Sequence, residues 1–321
     1  MSNFEDIIET GKKVILKERD ALTKLADSLD AKTFLQAIDI ITTSKNYLVV
    51  AGVGKSGHIG QKLAASFAST GTPSFFLHPT EASHGDLGML TEGSTLLAIS
   101  NSGESRELQD VLSYAKQNNI TIIGITSRAN SSLARASTVK LILPEVEEAC
   151  PNGLVPTTST TNVLAMGDAL VVAAMQKRNF TREDFGRRHP AGKLGLRLQS
   201  VEDWMEKTVT VNPLISSDAS VKDVIFSITE GGYGCTGVIE NLKLIGIVTD
   251  GDLRRAMSAN FFEKKVTNIM TPAPFTVSKT MKMGDVVDIF TKKRIANAYV
   301  VEDDIPLALI DLKTLLSAGY V

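Results

Sequence analysis

The stretch AGVGKSGHIG, residues 51–60, combines glycines, a lysine and a serine in a pattern typical of phosphate-binding loops. The segment GVGKSG, Gly52 to Gly57, has the G-x-G-x-x-G spacing of dinucleotide-binding folds, in which backbone N–H groups approach a pyrophosphate closely. GKS, which begins at Gly54, also matches the end of a P-loop, but a P-loop needs glycine where Val49 stands. The P-loop is therefore excluded, and a lone G-x-G-x-x-G pattern is weak evidence for a dinucleotide.

Two further stretches, rich in hydroxyl side chains, favour anion binding. SNSGES, Ser100 to Ser105, follows the strand candidate LLAIS and precedes a helix predicted to begin near Glu104. Hydroxyls and free backbone N–H groups at a helix N-terminus stabilise negative charge, so this stretch predicts a site for a phosphate monoester. TTSTT, Thr157 to Thr161, precedes another predicted helix. The alternative for both stretches is that their hydroxyls only cap the helices.

All four histidines, His58, His78, His84 and His189, lie in the first 200 residues, so chemistry is expected in this part of the chain. HGD around His84, EEAC ending at Cys150 and RRHPAGKLG around His189 all lie in predicted loops. Loops at the carboxyl ends of parallel strands are where such sheets bind ligands, although separate histidines and carboxylates are more often surface residues. The sequence has no H-x-x-x-H or C-x-x-C spacing, and it therefore predicts no zinc site.

The elements that must position these groups alternate between strand and helix. Helices are predicted over residues 5–43, and the strand candidates that follow are YLVVAG, PSFFLH, LLAIS, TIIGIT and VKLIL. Further helices are predicted near 57–69, 104–117, 130–136 and 159–177. This alternation predicts an α/β fold with a doubly wound parallel sheet covered by helices on both faces.

After about residue 200 the sequence repeats itself. DVI at Asp223 recurs as DVV at Asp285, and VIE at Val238 recurs as VVE at Val300, in each case 62 residues later. Each copy reads as strand, helix, strand, strand, helix, and neither offers much core alone, so we expect a pseudo-symmetric pair. Trp204, the only tryptophan, stands at the junction, where a packing anchor between domains is favoured over ligand stacking.

Composition excludes several classes of protein. The chain has 321 residues, 43% of them hydrophobic, and a net charge of −2, so it should be globular with no broad basic surface for nucleic acid. Its most apolar helix candidate, residues 161–176, is too short to span a membrane and contains Asp168. Only Cys150 and Cys235 are present, and the N-terminus lacks an apolar signal core, which together predict a cytoplasmic protein.

Taken in order, these motifs closely resemble those of the arabinose-5-phosphate isomerases, which have a sugar isomerase (SIS) domain followed by two CBS motifs. The resemblance covers nearly the whole chain and rests on GVGKSGHIG, STGTPSFFLHPTEASHGDLGM, SNSGES, EEACPNGLVPTTSTT and RRHPAGKLG. It implies an SIS domain with N-terminal helices over residues 1–200, CBS motif 1 over 201–262 and CBS motif 2 over 263–321. It also implies that the glycine loop belongs to a sugar-phosphate site.

The activity implied by the resemblance is interconversion of D-ribulose 5-phosphate and D-arabinose 5-phosphate through a cis-enediol, without metal or nicotinamide. In Gram-negative bacteria this reaction leads into synthesis of the eight-carbon sugar Kdo, for lipopolysaccharide or capsule. Carried over to this sequence, the family's catalytic positions are Lys55, His84, Glu107, Glu148 and His189. Its phosphate ligands correspond to Ser56, Ser100, Ser102, Ser105, Thr157, Thr158, Ser159 and Thr160.

Each catalytic position has an expected role. A carboxylate with a raised pKa suits proton transfer between C1 and C2, and Glu148 is assigned as this base, with Glu107 as the alternative. Lys55 would stabilise negative charge on the enediol oxygens. His84 and His189 would move protons between O1 and O2 or open the sugar ring.

The C-terminal repeats resemble CBS motifs, many of which bind adenine nucleotides between the two copies. Thr249 and Asp252 in GIVTDGDL match the ribose- and phosphate-contacting pattern, whereas the second copy has Asp311 and Thr314 at these positions. An acid in place of the hydroxyl would repel phosphate, so the resemblance implies at most one site for a nucleotide or pathway metabolite. The alternative is that the CBS pair chiefly supports assembly, for which a homotetramer is expected.

Two other functions stay open at this point. SIS domains also occur in regulators, so the first alternative is a non-catalytic sugar-phosphate sensor, against which the retained lysine, glutamates and histidine argue. The second is an SIS isomerase of another sugar phosphate, such as a hexose phosphate. No nucleic-acid or membrane partner is expected, and the predicted ligand is a small sugar phosphate.

Overall fold

The computed structural model describes residues 2–190, 192–208 and 212–320, and the chain divides into two compact units, residues 1–185 and 186–321. In the first unit, five parallel strands form one sheet in the order β2-β1-β3-β4-β5. The strands are β1 (Leu48–Gly52), β2 (Ser74–Leu77), β3 (Thr95–Ile99), β4 (Thr121–Thr126) and β5 (Val139–Ile142). The doubly wound parallel sheet predicted from the sequence is confirmed.

Helices cover both faces of this sheet. They are α1 (Ser2–Asp27), α2 (Ala31–Thr43), α3 (Gly54–Ser69), α4 (Pro79–Ala82), α5 (Leu108–Gln117), α6 (Ser132–Ala136), α7 (Thr158–Lys177) and α8 (Arg182–Arg188), the last of which crosses the unit boundary. Alternate strand residues enter opposite cores: Val50 packs with Phe67 and Leu170 on one face, and Val49 with Leu108 on the other. The central strands β1 and β3 are therefore buried along their whole length, because neither face of the sheet meets water there.

The second unit contains the two repeats. Its elements are α9 (Lys193–Leu198), α10 (Val201–Lys207), β6 (Leu214–Ser216), α11 (Val221–Gly231), β7 (Cys235–Glu240), β8 (Lys243–Thr249), α12 (Asp250–Ala256), β9 (Thr271–Pro272), β10 (Thr276–Val277), α13 (Met283–Lys293), β11 (Asn297–Glu302), β12 (Ile305–Asp311) and α14 (Leu312–Ser317). Both copies have the predicted order of strand, helix, strand, strand, helix. They form two sheets, β6-β7-β8-β9 and β10-β11-β12.

The segment before each repeat packs into the core of the other repeat. Trp204 of α10, only 2% exposed, packs with Val286 and Phe290 of the second repeat. Conversely, Phe261 and Val266, which precede the second repeat, pack into the core of the first. Trp204 is thus a packing residue, as expected from the sequence, but its partners in this core belong to the second repeat of the same unit and not to another domain. Neither repeat completes a core from its own copy alone.

Among the described residues, no helix has both the length and the apolar character needed to cross a membrane.

Candidate functional site

A cavity of about 290 Å³ lies in the first unit at the carboxyl ends of β1 and β3. These neighbouring strands mark the point where the strand order reverses, which is where open parallel sheets bind ligands. The cavity is lined by Val53, Lys55, Ser56, Ser100, Asn101, Ser102, Ser105, Pro156, Ser159, Thr160 and Val163. Its walls are therefore the loop after β1, the loop after β3 and the first turns of α7.

The glycine loop positions Lys55 and Ser56 by allowing α3 to begin directly against β1. A side chain at Gly57 would place its Cβ 2.7 Å from the carbonyl oxygen of Gly52, and Gly54 has a φ of +58°. These positions favour glycine because of close approach and left-handed backbone geometry. The glycine spacing therefore serves the turn from strand to helix, and this turn brings Lys55 and Ser56 to the cavity.

The serine loop after β3 is stabilised by its own hydrogen bonds. Ser100 Oγ accepts a hydrogen bond from Gly103 N–H at 3.0 Å and lies 2.9 Å from Ser105 Oγ. The helix that follows, α5, begins at Leu108. The prediction that a helix begins near Glu104 is therefore wrong, and Ser100 to Ser105 do not form a helix N-terminus. The serines line the cavity from a loop, because the segment before Leu108 forms turns instead of helix.

Glu148 binds the N-terminus of α7. Its Oε2 accepts hydrogen bonds from Thr157 N–H at 2.7 Å, Thr157 Oγ1 at 3.0 Å and Ser159 N–H at 3.3 Å, and its Oε1 accepts one from Ser159 Oγ. Thr157 Oγ1 in turn accepts a hydrogen bond from Ala149 N–H at 2.8 Å. A carboxylate at a helix N-terminus is stabilised by free N–H groups and by the helix dipole. This clamp joins the long loop after β5 to the helix that lines the cavity.

The pKa of Glu148 is lowered. Partial burial acts to raise it, but hydrogen bonds from Ser159 and Thr157 outweigh this effect. The raised pKa expected for a base at this position is therefore not found, because four donors stabilise the ionised form. Glu148 is ionised at neutral pH and reaches the cavity through Ser159, which lines it.

Seven of the predicted residues line one cavity: Lys55, Ser56, Ser100, Ser102, Ser105, Ser159 and Thr160. The side chains of Thr157 and Thr158 do not, because Thr157 donates to Glu148 and Thr158 is fully buried. His84 and Glu107 are exposed and are not part of its lining. His189 belongs to the second unit, and Ala191 of the RRHPAGKLG motif lies outside the described residues.

Sequence reasoning missed several lining residues. Asn101 lies between two predicted serines, and its carbonyl oxygen accepts hydrogen bonds from Thr126 Oγ1 and Ser127 Oγ on the neighbouring segment. Val53, Pro156 and Val163 supply apolar contacts. These residues lie inside the quoted motifs or directly beside them, so their positions could have indicated them. They were missed because apolar and amide side chains are neither proton-transfer groups nor hydroxyls.

A larger cavity, about 770 Å³, lies in the second unit between the two repeats. Thr249 and Asp252 line it and bind each other as a capping box, with Thr249 Oγ1 2.7 Å from Asp252 Oδ2. In the second repeat the pair is reversed: Asp311 caps α14 and accepts a hydrogen bond from Thr314 Oγ1. The second repeat differs from the CBS pattern at these two positions because the threonine and the aspartate of the capping pair have exchanged places.

The cationic side chains at this cavity come from both repeats. Arg255 belongs to the first repeat and also pairs with Asp252, whereas Arg294 and Lys313 belong to the second. Arg294 has a φ of +54°, and its counterpart in the first repeat is Gly232, at +73°. A long charged residue in left-handed geometry is unusual and often accompanies a functional role.

No group of three or more potential metal ligands is found among the described residues.

Comparison with known proteins identifies the two units. The SIS domain family matches residues 40–173, and the CBS domain family matches residues 201–259 and 266–320, so this is an SIS protein with a tandem CBS pair. The arabinose 5-phosphate isomerase KdsD of Shigella flexneri is 41% identical over 319 residues, covering 98% of this chain and 97% of its own. That of Yersinia pestis is 41% identical over 330 residues, with both chains covered fully.

This chain belongs to the arabinose 5-phosphate isomerase family. A solved structure of an E. coli CFT073 protein in complex with arabinose 5-phosphate is also similar, with 42% identity and a TM-score of 0.56. It covers 58% of this chain and 98% of its own.

Replacing Glu148 by glutamine is expected to lower the free energy of unfolding at neutral pH by about 1 kcal/mol, as for loss of a helix cap. Since folding lowers the pKa of Glu148, its contribution is complete above the ordinary value of 4.5 and is lost as the pH falls through the folded-state pKa. Urea unfolding of both proteins from neutral pH down into this acid range measures the difference. Glu145→Gln, on the same loop but exposed, is the matched control. A Glu148→Gln deficit that persists at the acid end would contradict the clamp.

Proposed function

We propose that this enzyme interconverts D-ribulose 5-phosphate and D-arabinose 5-phosphate. The observation that carries the proposal is one cavity in which Lys55, the serine loop and Ser159 meet, with Glu148 bound directly behind Ser159. Its volume of about 290 Å³ is at the lower end for ligand pockets, which suits a small substrate. Full-length similarity to relatives named arabinose 5-phosphate isomerase supports this choice over another sugar phosphate.

The phosphate is proposed to bind on the side of the cavity formed by Ser56 and the serine loop. Ser100, Ser102 and Ser105 supply hydroxyls there, and Gly103 brings the loop into a tight turn with a φ of +66°. At the start of α7, by contrast, the N–H groups of Thr157 and Ser159 already donate to Glu148. The reacting end of the sugar would then extend toward Lys55 and Glu148.

Glu148 is proposed as the base that moves the proton between C1 and C2. Its ionised form is ready to accept a proton, and four hydrogen bonds fix its orientation. Loss of some of these bonds when substrate binds would raise its pKa toward the range that favours proton transfer. Glu107, exposed at the start of α5, remains the alternative.

Lys55 and two histidines are proposed to act on the oxygens. The Lys55 ammonium at the cavity wall would stabilise the negative charge that develops on the enediol oxygens, and a positioned cation does this without reorganising. His84 and His189 are proposed to move protons between O1 and O2 or to open the ring.

The product would serve Kdo synthesis. A cytoplasmic location is proposed because Cys150 and Cys235 are both free thiols.

A coupled assay with D-arabinose 5-phosphate tests the proposal. The wild-type protein is expected to form ribulose 5-phosphate, and Lys55→Ala to lose this turnover. Glu148→Gln is expected to lower kcat by roughly 10²- to 10⁴-fold with little change in KM, because a base acts in the transition state. Glu107→Gln is the matched variant, and a larger loss there would reassign the base.

Hexose 6-phosphates serve as substrate controls in the same assay. Turnover of a hexose 6-phosphate without turnover of arabinose 5-phosphate would replace the proposed substrate. Tight binding of arabinose 5-phosphate by calorimetry with no turnover would make the protein a sensor that uses the same cavity.

The cavity between the CBS repeats is proposed to bind a nucleotide or another phosphorylated metabolite. Arg255, Arg294 and Lys313 offer cations, and Thr249 and Asp252 lie beside them. ATP binding measured by calorimetry is expected to weaken roughly tenfold in Arg294→Gly, since one charge-assisted hydrogen bond is lost. Glycine suits the left-handed backbone of this position, so stability should not fall.

Lys243→Ala is the control for the nucleotide measurement. Lys243 pairs with Asp304 and is not part of the cavity lining, so its removal should leave ATP affinity unchanged. Equal ATP affinity in wild type and Arg294→Gly, or no ATP binding at all, would count against a nucleotide site here.

A homotetramer is proposed for the assembled enzyme. Ile8 and Ile15, two turns apart on α1, are 61% and 68% exposed, and the neighbouring Ile7 and Leu16 are also exposed. Such an apolar strip is typical of a surface that associates. Light scattering is expected to give four times the chain mass, and Ile8→Glu with Ile15→Glu to give a smaller species. An unchanged mass in the double variant would exclude this strip as an interface.

A further inference from the structure

Two buried polar side chains on α7 have no assigned role. Thr158 is 0% exposed and Asn162 is 1% exposed. Among the residues that the structure describes, neither Thr158 Oγ1 nor either amide atom of Asn162 has a hydrogen-bonding partner. Buried polar groups in proteins are almost always paired with protein atoms or with ordered water, because an unpaired group is costly.

The two side chains lie close together because of their spacing. Residues four apart on a helix share one face, with Cβ atoms about 5–6 Å apart, so Thr158 and Asn162 point into the same part of the interior. A threonine hydroxyl donates once and accepts, and an asparagine amide both donates and accepts. A water molecule, which also donates and accepts, matches this set of groups.

Their place on the helix connects them to the active site. Thr158 stands between Thr157 and Ser159, the two residues whose N–H and hydroxyl groups bind Glu148. Asn162 precedes Val163, which lines the cavity. Valine and leucine of nearly the same shapes would fill this space without polar atoms, so packing alone does not account for the pair.

We propose that Thr158 and Asn162 bind an internal water molecule and thereby act as positioning residues for the first turn of α7. This inference rests on the proposed function, because that turn orients the proposed base Glu148 and places Ser159 and Thr160 on the cavity wall. The bound water fixes the turn from the interior side, and Glu148 fixes it from the loop side.

A stability cycle with Asn162→Leu, Thr158→Val and the double variant tests the water site. Each single change is expected to lower the Tm by about 2–4 °C, because it leaves the water and the other side chain without a partner. The double variant should recover most of this loss, since both polar groups are replaced. Single changes that each raise the Tm, with additive effects, would overturn the proposal.

If a single variant does not fold, the double variant still tests the water site. A double variant that folds then supports the water site, and one that also fails to fold overturns it. The Tm measurements need no substrate. A wild-type protein without isomerase activity would contradict the proposed function while leaving this arm of the test intact.

Kinetics test the positioning role. Asn162→Leu is expected to lower kcat by roughly tenfold to a hundredfold, with a smaller change in KM, as for misplacement of a reacting group. The acid limb of the kcat profile should move to higher pH, because a loosened turn stabilises ionised Glu148 less. Thr158→Ser, which keeps the hydroxyl, should retain wild-type kinetics.

Gln176→Leu provides the control, since Gln176 is an exposed amide on the same helix. Its kinetic constants should equal those of the wild type. Unchanged kcat and pH profile in Asn162→Leu would restrict the pair to a structural role and overturn the inference.

Discussion

The binding of Glu148 to the first turn of α7 is the interaction on which the site depends. The loop between β5 and α7 spans residues 143–157, too long to have one conformation without anchors. Glu148 ties it to the helix through Thr157 and Ser159, and Lys17 of α1 pairs with the neighbouring Glu147. The same donors that hold the loop also hold the carboxylate ionised. A proposed catalytic group thus also fixes the structure around it.

The hydrogen bonds between Glu148 and α7 restrict where a second anion can bind in the cavity. Two helices and one serine loop meet at the cavity, and the N-terminus of α7 already carries a negative charge from the protein. A substrate phosphate is therefore better placed at Ser56 and the serine loop, away from Glu148, because like charges repel. In the proposed binding mode, the carboxylate would lie beside the sugar carbons and the phosphate at the far end of the cavity.

The repeats show how a duplicated sequence becomes an asymmetric structure. All the main elements recur at an offset of 62 residues, yet Gly232 of one copy corresponds to Arg294 of the other, and the capping pair Thr249 and Asp252 to Asp311 and Thr314. These exchanges preserve the backbone while changing the charges at the cavity. The segments packed into opposite cores make the two copies one folding unit, because each lacks part of its own hydrophobic core.

The sequence by itself determined the parallel sheet, the paired repeats and seven of the residues that line the cavity, because apolar runs, hydroxyl clusters and glycine spacing are local properties. The tertiary structure decided the rest. The direction of the Glu148 pKa shift depends on donors contributed by α7, eleven residues along the chain at Ser159. The burial of Thr158 among hydroxyl neighbours depends on which helix face meets the sheet. The start of α5 at Leu108 depends on loop hydrogen bonds that outweigh helix propensity near Glu104. Such properties arise only when separate segments are brought together.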